Sequence, residues 1–321
     1  MSRTIVRFVR NDAAPVPQWG VRFGALIAPL PVQASTTGDL LANHWELLWH
    51  IEDSRATRPV DSVRLLSPVT HNQQFICQGV NYLSHVRESG LHVGNFPFNT
   101  LFTKASSSIA SAEAAVVRPS HVRLLDYEIE LGLVLRRSLP ANAIVRADDL
   151  GQWLAGVTIV NDLSARDVQL PQGQFYKGKS YRGFGPVGPG LVLLTADEWK
   201  RWPQLRMRLS VNGQVRQDAY CEEMIHKPAD TLSELGALQD VHAGDLVATG
   251  TPAGCAARAP GKAAMFAMRH LMSDATKWRL FVRKNSGNPA YLQPGDRIRA
   301  SIRTDDGGID LGEQTTAIVA P

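Results

Sequence analysis

Short apolar runs alternate along this chain with clusters of Gly, Pro, Asn and Asp, a pattern typical of a protein built mainly from β-strands. From residue 71 onward the runs include QFICQGV, IELGLVL, LAGVTIVND, GLVLL, DLVATGT and DRIRASI. Helical spacing is confined to short stretches such as NYLSHVRESG, ADDLGQWLA and PADTLSELGAL. The pattern predicts a mostly β fold of the α+β class, a sandwich or rolled barrel with peripheral helices.

The first 70 residues have a different pattern. TIVRFV (4–9) predicts a strand, VRFGALIAPL (21–30) predicts a second strand, and residues 38–51 carry apolar groups near helical spacing after a Thr-Thr-Gly-Asp cap signal. Residues 55–70 are polar, contain two prolines and lack a clear period, which favours a linker. We therefore predict a small N-terminal accessory domain (1–65) and a larger catalytic domain (66–321).

Composition narrows the class of protein. The chain has 321 residues, of which 44% are hydrophobic and 20% charged, and its apolar runs are far too short to span a membrane. The N-terminus lacks the apolar core of a signal peptide, and the three cysteines are too scattered for a disulfide framework. We expect a cytoplasmic protein with no membrane partner. No dinucleotide-binding or P-loop fingerprint opens a helix.

The net charge of +4 is concentrated in one segment. Residues 256–290 hold seven basic residues and one acidic residue, a local charge of +6, so the rest of the chain sums to −2. This distribution argues against nucleic acid as a partner. The basic segment is predicted to be an insertion that steers an anionic substrate or lies at a subunit contact.

The clearest chemical signal is a pair of carboxylates in LLDYEIELGLVL. Glu128 and Glu130 are two residues apart on a predicted strand, so they share a face at a spacing of about 6.6 Å. Like charges on an otherwise apolar strand favour a hard divalent cation such as Mg²⁺ or Mn²⁺. Asp162 ends another apolar run and is a candidate third ligand. The alternative is a charged stripe facing solvent, with Asp162 in a turn.

A possible general base lies in NYLSHVRESG. His85 and Glu88 are three residues apart and share a face of a helical turn. A carboxylate beside an imidazole fixes its tautomer and raises its basicity, as the activation of water requires. The alternative is an ordinary ion pair on a surface helix.

Polar side chains that follow Asp162 are candidates for substrate contacts. Arg166 and Gln169 come four and seven residues later, so a helix would place them on one wall with Asp162. Arg166 pairing with Asp162 or Asp167 for a purely structural purpose is an equal alternative.

Two loops offer further groups. Lys179 lies in the Gly-rich stretch YKGKSYRGFGPVGP, where its charge could reach an anion. Thr251 lies in TGTPAGC, a tight turn that could hold a carboxylate through its hydroxyl and backbone N–H groups, or could be a plain proline corner. Lys104, in LFTKASSS, is a further cation without an assigned role.

Seven segments together resemble the fumarylacetoacetate hydrolase family, in the order in which that family carries them: QGVNYLSHVRESG, LFTKASSSI, DYEIELGLVL, GVTIVNDLSARDVQ, GKSYRGFGPVGP, VNGQVRQ and GDLVATGTPAGC. The resemblance implies a mixed β-sandwich roll around a metal site, usually in a homodimer, with a small N-terminal β domain in longer members. The chain departs from the family pattern in two places. It has Lys179-Ser180-Tyr181-Arg182 where the family often has Lys-Ser-Phe-Asp, and its basic segment 256–290 is longer than in compact members.

The resemblance also implies roles for particular residues. It implies Mg²⁺ or Mn²⁺ at Glu128, Glu130 and Asp162, a water-activating dyad of His85 and Glu88, and substrate contacts from Arg166, Gln169, Lys179 and Thr251. In this interpretation Lys179 stabilises anionic charge in the transition state.

The favoured function is a metal-dependent hydrolase that cleaves a carbon–carbon bond in a small anionic keto acid, an acylpyruvate- or fumarylpyruvate-like β-diketo acid, with the metal stabilising an enolate. The alternative within the same fold is a hydratase, isomerase or decarboxylase of a 2-keto-enol diacid in aromatic catabolism. A different class is a binding protein that has kept the scaffold without the activity.

Overall fold

The computed structural model describes residues 1–12, 15–88, 98–258 and 273–321. The strands of this part are β1 (Arg3–Arg10), β2 (Gln18–Phe23), β3 (Leu26–Pro29), β4 (Arg58–Pro59), β5 (Val63–Leu66), β6 (Phe75–Gly79), β7 (Thr100–Lys104), β8 (Ile109–Ala110), β9 (Ala115–Val117), β10 (Leu125–Asp126), β11 (Ile129–Leu135), β12 (Leu154–Asn161), β13 (Ser164–Ala165), β14 (Gly185–Pro186), β15 (Leu191–Leu193), β16 (Arg206–Val211), β17 (Gln214–Tyr220), β18 (Leu246–Ala248), β19 (Arg297–Arg303) and β20 (Asp310–Val319).

The described helices are short. They are α1 (Thr37–Asn43), α2 (Trp45–His50), α3 (Leu83–Glu88), α4 (Leu150–Trp153), α5 (Arg166–Gln172), α6 (Tyr176–Lys179), α7 (Ala196–Trp199), α8 (Pro228–Leu238) and α9 (Asp274–Asn285). None of them combines the length and the apolar character that crossing a bilayer needs. The prediction of a mostly β fold of the α+β class is confirmed.

Two large sheets form the body of the protein. One runs β4-β3-β2-β1-β15-β12-β11-β18-β6-β7, with β5 attached to β1, and the other runs β17-β16-β19-β20-β9. β6 pairs with β18 in parallel and β11 pairs with both of its neighbours antiparallel, so the larger sheet is mixed.

The alternation along β11 shows how the core is divided. Leu131 and Leu133 point to one side, into the core shared with Leu209 and Ile298 of the smaller sheet. Val134 points to the other side, into a second core that includes apolar residues of α1 and α2. The larger sheet is therefore covered on both faces, which explains why every residue of β11 is buried.

Three predictions for the first 70 residues need correction. A turn at Gly24 splits the predicted second strand into β2 and β3, and His44 divides the predicted helix into α1 and α2. The predicted cap is present, because the Thr36 side chain accepts from the Asp39 amide. The predicted linker contains β5, whose four residues pair with β1 and are too few to show a clear period in the sequence.

The N-terminal strands continue the larger sheet, because β1 pairs with β15 over Arg3–Leu193 to Ile5–Leu191. The domain boundary near residue 65 stays a prediction.

Candidate metal centre

Three buried carboxylates meet where two central strands end. Glu130 lies on β11, Glu128 comes just before it, and Asp162 directly follows β12. The antiparallel pairing of β11 with β12 sets Ile129 opposite Asn161, and the Asp162 amide donates to the Glu128 carbonyl at 2.8 Å. One carboxylate oxygen of each residue lies within 4.8 Å of the others. The predicted convergence of these residues is present, whereas metal binding itself stays a prediction.

Glu128 and Asp162 are held by buried cations. The Lys179 ammonium donates to Glu128 Oε2 at 2.6 Å and to Asp162 Oδ2, and the Arg166 guanidinium donates to Glu128 Oε1. Burial by itself would raise the pKa of Glu128, but Arg166 and Lys179 hold it well below its usual range. Burial likewise opposes the charge of Lys179, yet the Asp162 and Glu128 carboxylates raise its pKa above the ordinary value.

Glu130 has a different environment. Its carboxylate accepts a hydrogen bond from the Gly250 amide at 2.9 Å. Burial, together with the neighbouring carboxylates of Asp162 and Glu128, raises the pKa of Glu130 well above its usual range. Among the described residues no cation forms an ion pair with Glu130, and a divalent cation with oxygen ligands would supply one. The residues therefore fit a hard divalent metal such as Mg²⁺ or Mn²⁺.

The charges of the cluster support this fit. It contains four buried carboxylates, Asp126, Glu128, Glu130 and Asp162, and three buried cations, Lys104, Arg166 and Lys179. With every group ionised the cluster has a net charge of −1, and a divalent ion would change it to +1. An anionic substrate would then be attracted to the centre.

Arg166 and Gln169 lie one turn apart on α5, whereas Asp162, which the prediction placed on the same wall, precedes the helix. Arg166 Nε donates to Asp126 Oδ2 at 2.9 Å, and Arg166 Nη1 donates to Gln169 Oε1 at 2.8 Å. Asp126 also accepts from the amides of Ala256 and Ala257, so it anchors the loop after Thr251. Among the described residues the partners of Arg166 are therefore Asp126 and Glu128, rather than the Asp162 and Asp167 considered from the sequence. The substrate contacts of Arg166 and Gln169 stay predictions.

Lys104, to which the sequence assigned no role, contacts one of the candidate metal ligands. Its ammonium donates to Asp162 Oδ1 at 2.5 Å and to the Phe184 carbonyl at 2.7 Å, and its side chain is fully buried. Lys104, on β7, and Lys179, on α6, thus each bind one of the two carboxylate oxygens of Asp162. The signal in the sequence was a lysine that ends an apolar run and had no other obvious partner.

His85 lies close to this cluster on α3. Burial lowers the pKa of its imidazole, opposed by the charge of Glu128, so the ring is neutral at pH 7. In the described part of the chain, His85 Nδ1 is buried and has no hydrogen-bond partner. Glu88 Oε2 instead accepts from the Gly254 amide at 2.8 Å, and Glu88 Oε1 lies 3.7 Å from Arg258. His85 and Glu88 share α3, but their action as a dyad stays a prediction.

Thr251 is buried beside β11, and its hydroxyl is engaged within the protein. It donates to the Ile129 carbonyl at 2.9 Å and accepts from Gln217 at 2.8 Å. These bonds hold the TGTPAGC loop against the strand that carries Glu130, and a substrate contact from Thr251 stays a prediction.

The basic segment 256–290 is described only in part, because residues 259–272 lie outside the described residues. Its C-terminal portion forms α9, which packs beside α5 and places Phe281 and Val282 against the core. The predicted effect of this segment on substrate choice stays a prediction.

Gly178 controls how closely α6 approaches α5, and hence where Lys179 lies. A Cβ at this position would be 2.6 Å from Gln169 Cβ and 2.9 Å from the Gln169 backbone nitrogen. We expect Gly178→Ala to lower the free energy of unfolding by about 1–3 kcal/mol. We also expect it to lower turnover by about 10²-fold, because Lys179 is displaced.

Chemical denaturation and steady-state kinetics check this expectation. The matched control is Gly287→Ala, since a Cβ at residue 287 meets nothing within 4 Å. Normal kinetics for Gly178→Ala would show that the position of Lys179 does not depend on this contact.

Comparison with known proteins identifies relatives across most of the chain. The family model described as fumarylacetoacetate (FAA) hydrolase C-terminal matches residues 74–319. A rat protein named mitochondrial oxaloacetate tautomerase Fahd2a is 32% identical over 197 residues, 61% of this chain and 61% of the relative, so the match spans about three fifths of that protein.

Solved structures extend the similarity to nearly the whole chain. A fumarylacetoacetate hydrolase from psychrophilic Exiguobacterium antarcticum is 28% identical, with a TM-score of 0.75 over 99% of this chain and 100% of its own. A probable 2-hydroxyhepta-2,4-diene-1,7-dioate isomerase from Mycobacterium abscessus is 27% identical, with a TM-score of 0.73 over 100% and 99%. The relatives thus share a fold and differ in the reactions that their names describe.

Proposed function

Because this chain belongs to the fumarylacetoacetate hydrolase family, we propose that it is a metal-dependent enzyme that acts on a small 2-keto acid through its enolate form. The observation that carries the proposal is the convergence of Glu128, Glu130 and Asp162 within a buried cluster of charged side chains. Each of the relatives compared above is named for a reaction of a keto acid or its enol.

The three carboxylates would hold Mg²⁺ or Mn²⁺. When bound, such an ion supplies a Lewis acid that polarises the keto oxygen and stabilises the negative charge of the enolate. Lys179 lies against two of the three ligands and would stabilise the charge that develops on the substrate. Arg166 would orient the substrate carboxylate beside Gln169.

The first candidate reaction is hydrolysis of the carbon–carbon bond of an acylpyruvate. His85, which is neutral, takes a proton from water, and the resulting hydroxide attacks the distal carbonyl. The bond between that carbonyl and the methylene carbon breaks, and its electron pair leaves as the enolate of pyruvate. Protonation of the enolate yields pyruvate, and the other product is the carboxylic acid that contains the oxygen from water.

The second candidate is keto–enol tautomerisation or isomerisation of a 2-keto acid. The hydrogen bond from Gly254 to Glu88 favours it, because in the described part of the chain Glu88 accepts from this loop amide and forms no hydrogen bond with His85. Moving a proton between carbon and oxygen needs one neutral base near the substrate and no activated water. His85 fits that role by itself.

A panel of substrates distinguishes these candidates. We expect the purified protein with Mn²⁺ to convert at least one of acetylpyruvate, fumarylpyruvate and enol-oxaloacetate, and EDTA to abolish the conversion until Mg²⁺ or Mn²⁺ is restored. Release of pyruvate from an acylpyruvate indicates hydrolysis. Loss of the enol absorbance of oxaloacetate without bond cleavage indicates tautomerisation.

Turnover that persists in EDTA would contradict the role of the metal, and a complete lack of turnover across the panel would contradict the proposed function. The predicted homodimer and cytoplasmic location stay predictions.

A further inference from the structure

One face of β7 connects the buried charge cluster to an aromatic surface. Residues 100, 102 and 104 share this face because side chains alternate along a strand. Lys104, at the end of the strand, binds Asp162. Phe102, one step back on the same face, is only half-buried.

Phe102 forms an aromatic pair with Phe175, which lies just before α6. Their ring centroids are 5.0 Å apart and their planes are inclined by 82°, an edge-to-face contact. Phe175 is also half-buried, so the pair presents apolar surface that the core does not cover completely.

This pair borders the candidate metal centre. The Lys179 ammonium lies 5.4 Å from the centre of the Phe102 ring and 2.6 Å from Glu128 Oε2. Lys179 thus lies beside both a proposed metal ligand and the Phe102 ring. Phe102 is therefore near enough to the candidate metal centre for the chain of a small substrate bound there to reach its ring.

We propose that Phe102 and Phe175 hold the substituent at the far end of the substrate, so that this enzyme prefers 2-keto acids with an alkyl or aryl group there over those with a second carboxylate. The inference rests on the proposed function and specifies its substrate class.

The two ends of the site differ in the chemistry that they offer. The metal centre and Lys179 attract an anionic end, whereas the aromatic rings provide no hydrogen-bond donor to replace the water around a second carboxylate. The negative faces of the rings also repel such a carboxylate. A phenyl group, in contrast, loses contact with water and packs edge to face against Phe102 or Phe175.

The competing possibility is that the enzyme prefers a dicarboxylic substrate, whose second carboxylate would bind an exposed cation. Arg258 is 74% exposed and lies 3.7 Å from Glu88, so water screens its charge and a carboxylate already faces it. Lys177, on α6, is also exposed. The experiment therefore includes a dicarboxylic substrate.

The test compares kcat/KM for acetylpyruvate, benzoylpyruvate and fumarylpyruvate with Mn²⁺ present. We expect the wild-type protein to prefer benzoylpyruvate over fumarylpyruvate by about tenfold or more. Phe102→Ala should lower kcat/KM for benzoylpyruvate about tenfold and for acetylpyruvate less than about threefold. Phe175→Leu keeps an apolar side chain and should disturb folding little. It should also lower kcat/KM more for benzoylpyruvate than for acetylpyruvate.

Phe23→Ala is the matched control. Phe23 is also half-buried and also lies beneath a cation, with Arg3 Cζ 5.3 Å from its ring centre, but it is on β2, seven strands away from β7 in the sheet. It should leave the order of substrates unchanged. Thermal unfolding of each variant shows whether it is folded.

The inference is overturned if the wild-type protein prefers fumarylpyruvate, or if Phe102→Ala affects all three substrates equally, as a purely structural role would. A lack of turnover for every substrate counts against the proposed function instead. Calorimetric binding of benzoylpyruvate and fumarylpyruvate to the Mn²⁺-loaded protein then decides the inference, which requires tighter binding of benzoylpyruvate.

Discussion

Replacing Glu130 with glutamine is expected to abolish tight binding of Mn²⁺ and to reduce metal-dependent turnover by about 10³-fold or more. The change removes one of three converging carboxylates but keeps the side-chain shape and the ability to accept from the Gly250 amide. Stabilisation of a substrate oxygen by a metal contributes several kcal/mol, and about 1.4 kcal/mol corresponds to a tenfold change in rate. Calorimetric titration with Mn²⁺ and steady-state kinetics measure the two effects.

Unlike metal binding and turnover, the stability of the metal-free protein should not be reduced by Glu130→Gln. Glu130 is buried beside Asp162 and Glu128, so removing its charge relieves repulsion. We expect metal-free Glu130→Gln to unfold at the same temperature as the wild type or a higher one. Glu113→Gln, at an exposed carboxylate, is the control and should change neither property. Unaltered Mn²⁺ affinity in Glu130→Gln would remove this residue from the metal site.

Replacing His85 with alanine is expected to lower kcat by about 10²–10⁴-fold while leaving Mn²⁺ affinity unchanged. The size of the effect is that of a lost general base. His85 is not one of the three converging ligands, and its Nδ1 has no protein partner among the described residues, so the change breaks no hydrogen bond at that nitrogen. Kinetics on the best substrate of the panel and Mn²⁺ titration test the expectation together, and near-normal kcat would exclude His85 from the chemistry.

A companion variant, Glu88→Gln, separates the two candidate reactions. Glutamine retains an oxygen that can accept from the Gly254 amide, so the position of α3 is preserved while the charge is lost. If Glu88 assists His85 in activating water, hydrolysis should slow markedly. If His85 transfers protons by itself, tautomerisation should be nearly unaffected.

The sequence indicated the carboxylate triad as a candidate because short-range rules apply to it, but it left a solvent-facing stripe as an alternative. The spacing of Glu128 and Glu130 predicts a shared face, and Asp162 directly follows β12, which pairs with β11. The contact between Lys104 and Asp162 joins residues 58 positions apart. Lys104 ends β7 and Asp162 directly follows β12, and these strands are not neighbours in the sheet. No periodicity or local motif encodes such a pair.

Side-chain partners were the least predictable part of the site. Asp126 is fully buried and binds Arg166, a pairing that no local pattern in the sequence indicates. Glu88 was expected beside His85 and instead binds a loop that follows it by more than 160 residues. The sequence limits which groups can meet, whereas the packing of distant segments selects the pairs.

In the fold, the apolar runs after residue 71 predicted strands well for two reasons. The larger sheet buries β11 and β12 on both faces, which leaves continuous apolar runs, and the smaller sheet buries alternate residues of β19. The first 70 residues were harder because short strands leave weak patterns. β5 has four residues, and the turn at Gly24 interrupts a run that is apolar on both sides.

The pairing of β1 with β15 has a consequence for any attempt to shorten the protein. A fragment beginning after residue 65 would leave one edge of β15 with unpaired N–H and C=O groups. Such an edge can pair with other chains and cause aggregation. β15 also pairs with β12, the strand that ends just before Asp162. Fraying of β15 would therefore disturb the candidate metal centre. The N-terminal strands thus shield an edge of the sheet from aggregation, although the match to the family model starts at residue 74.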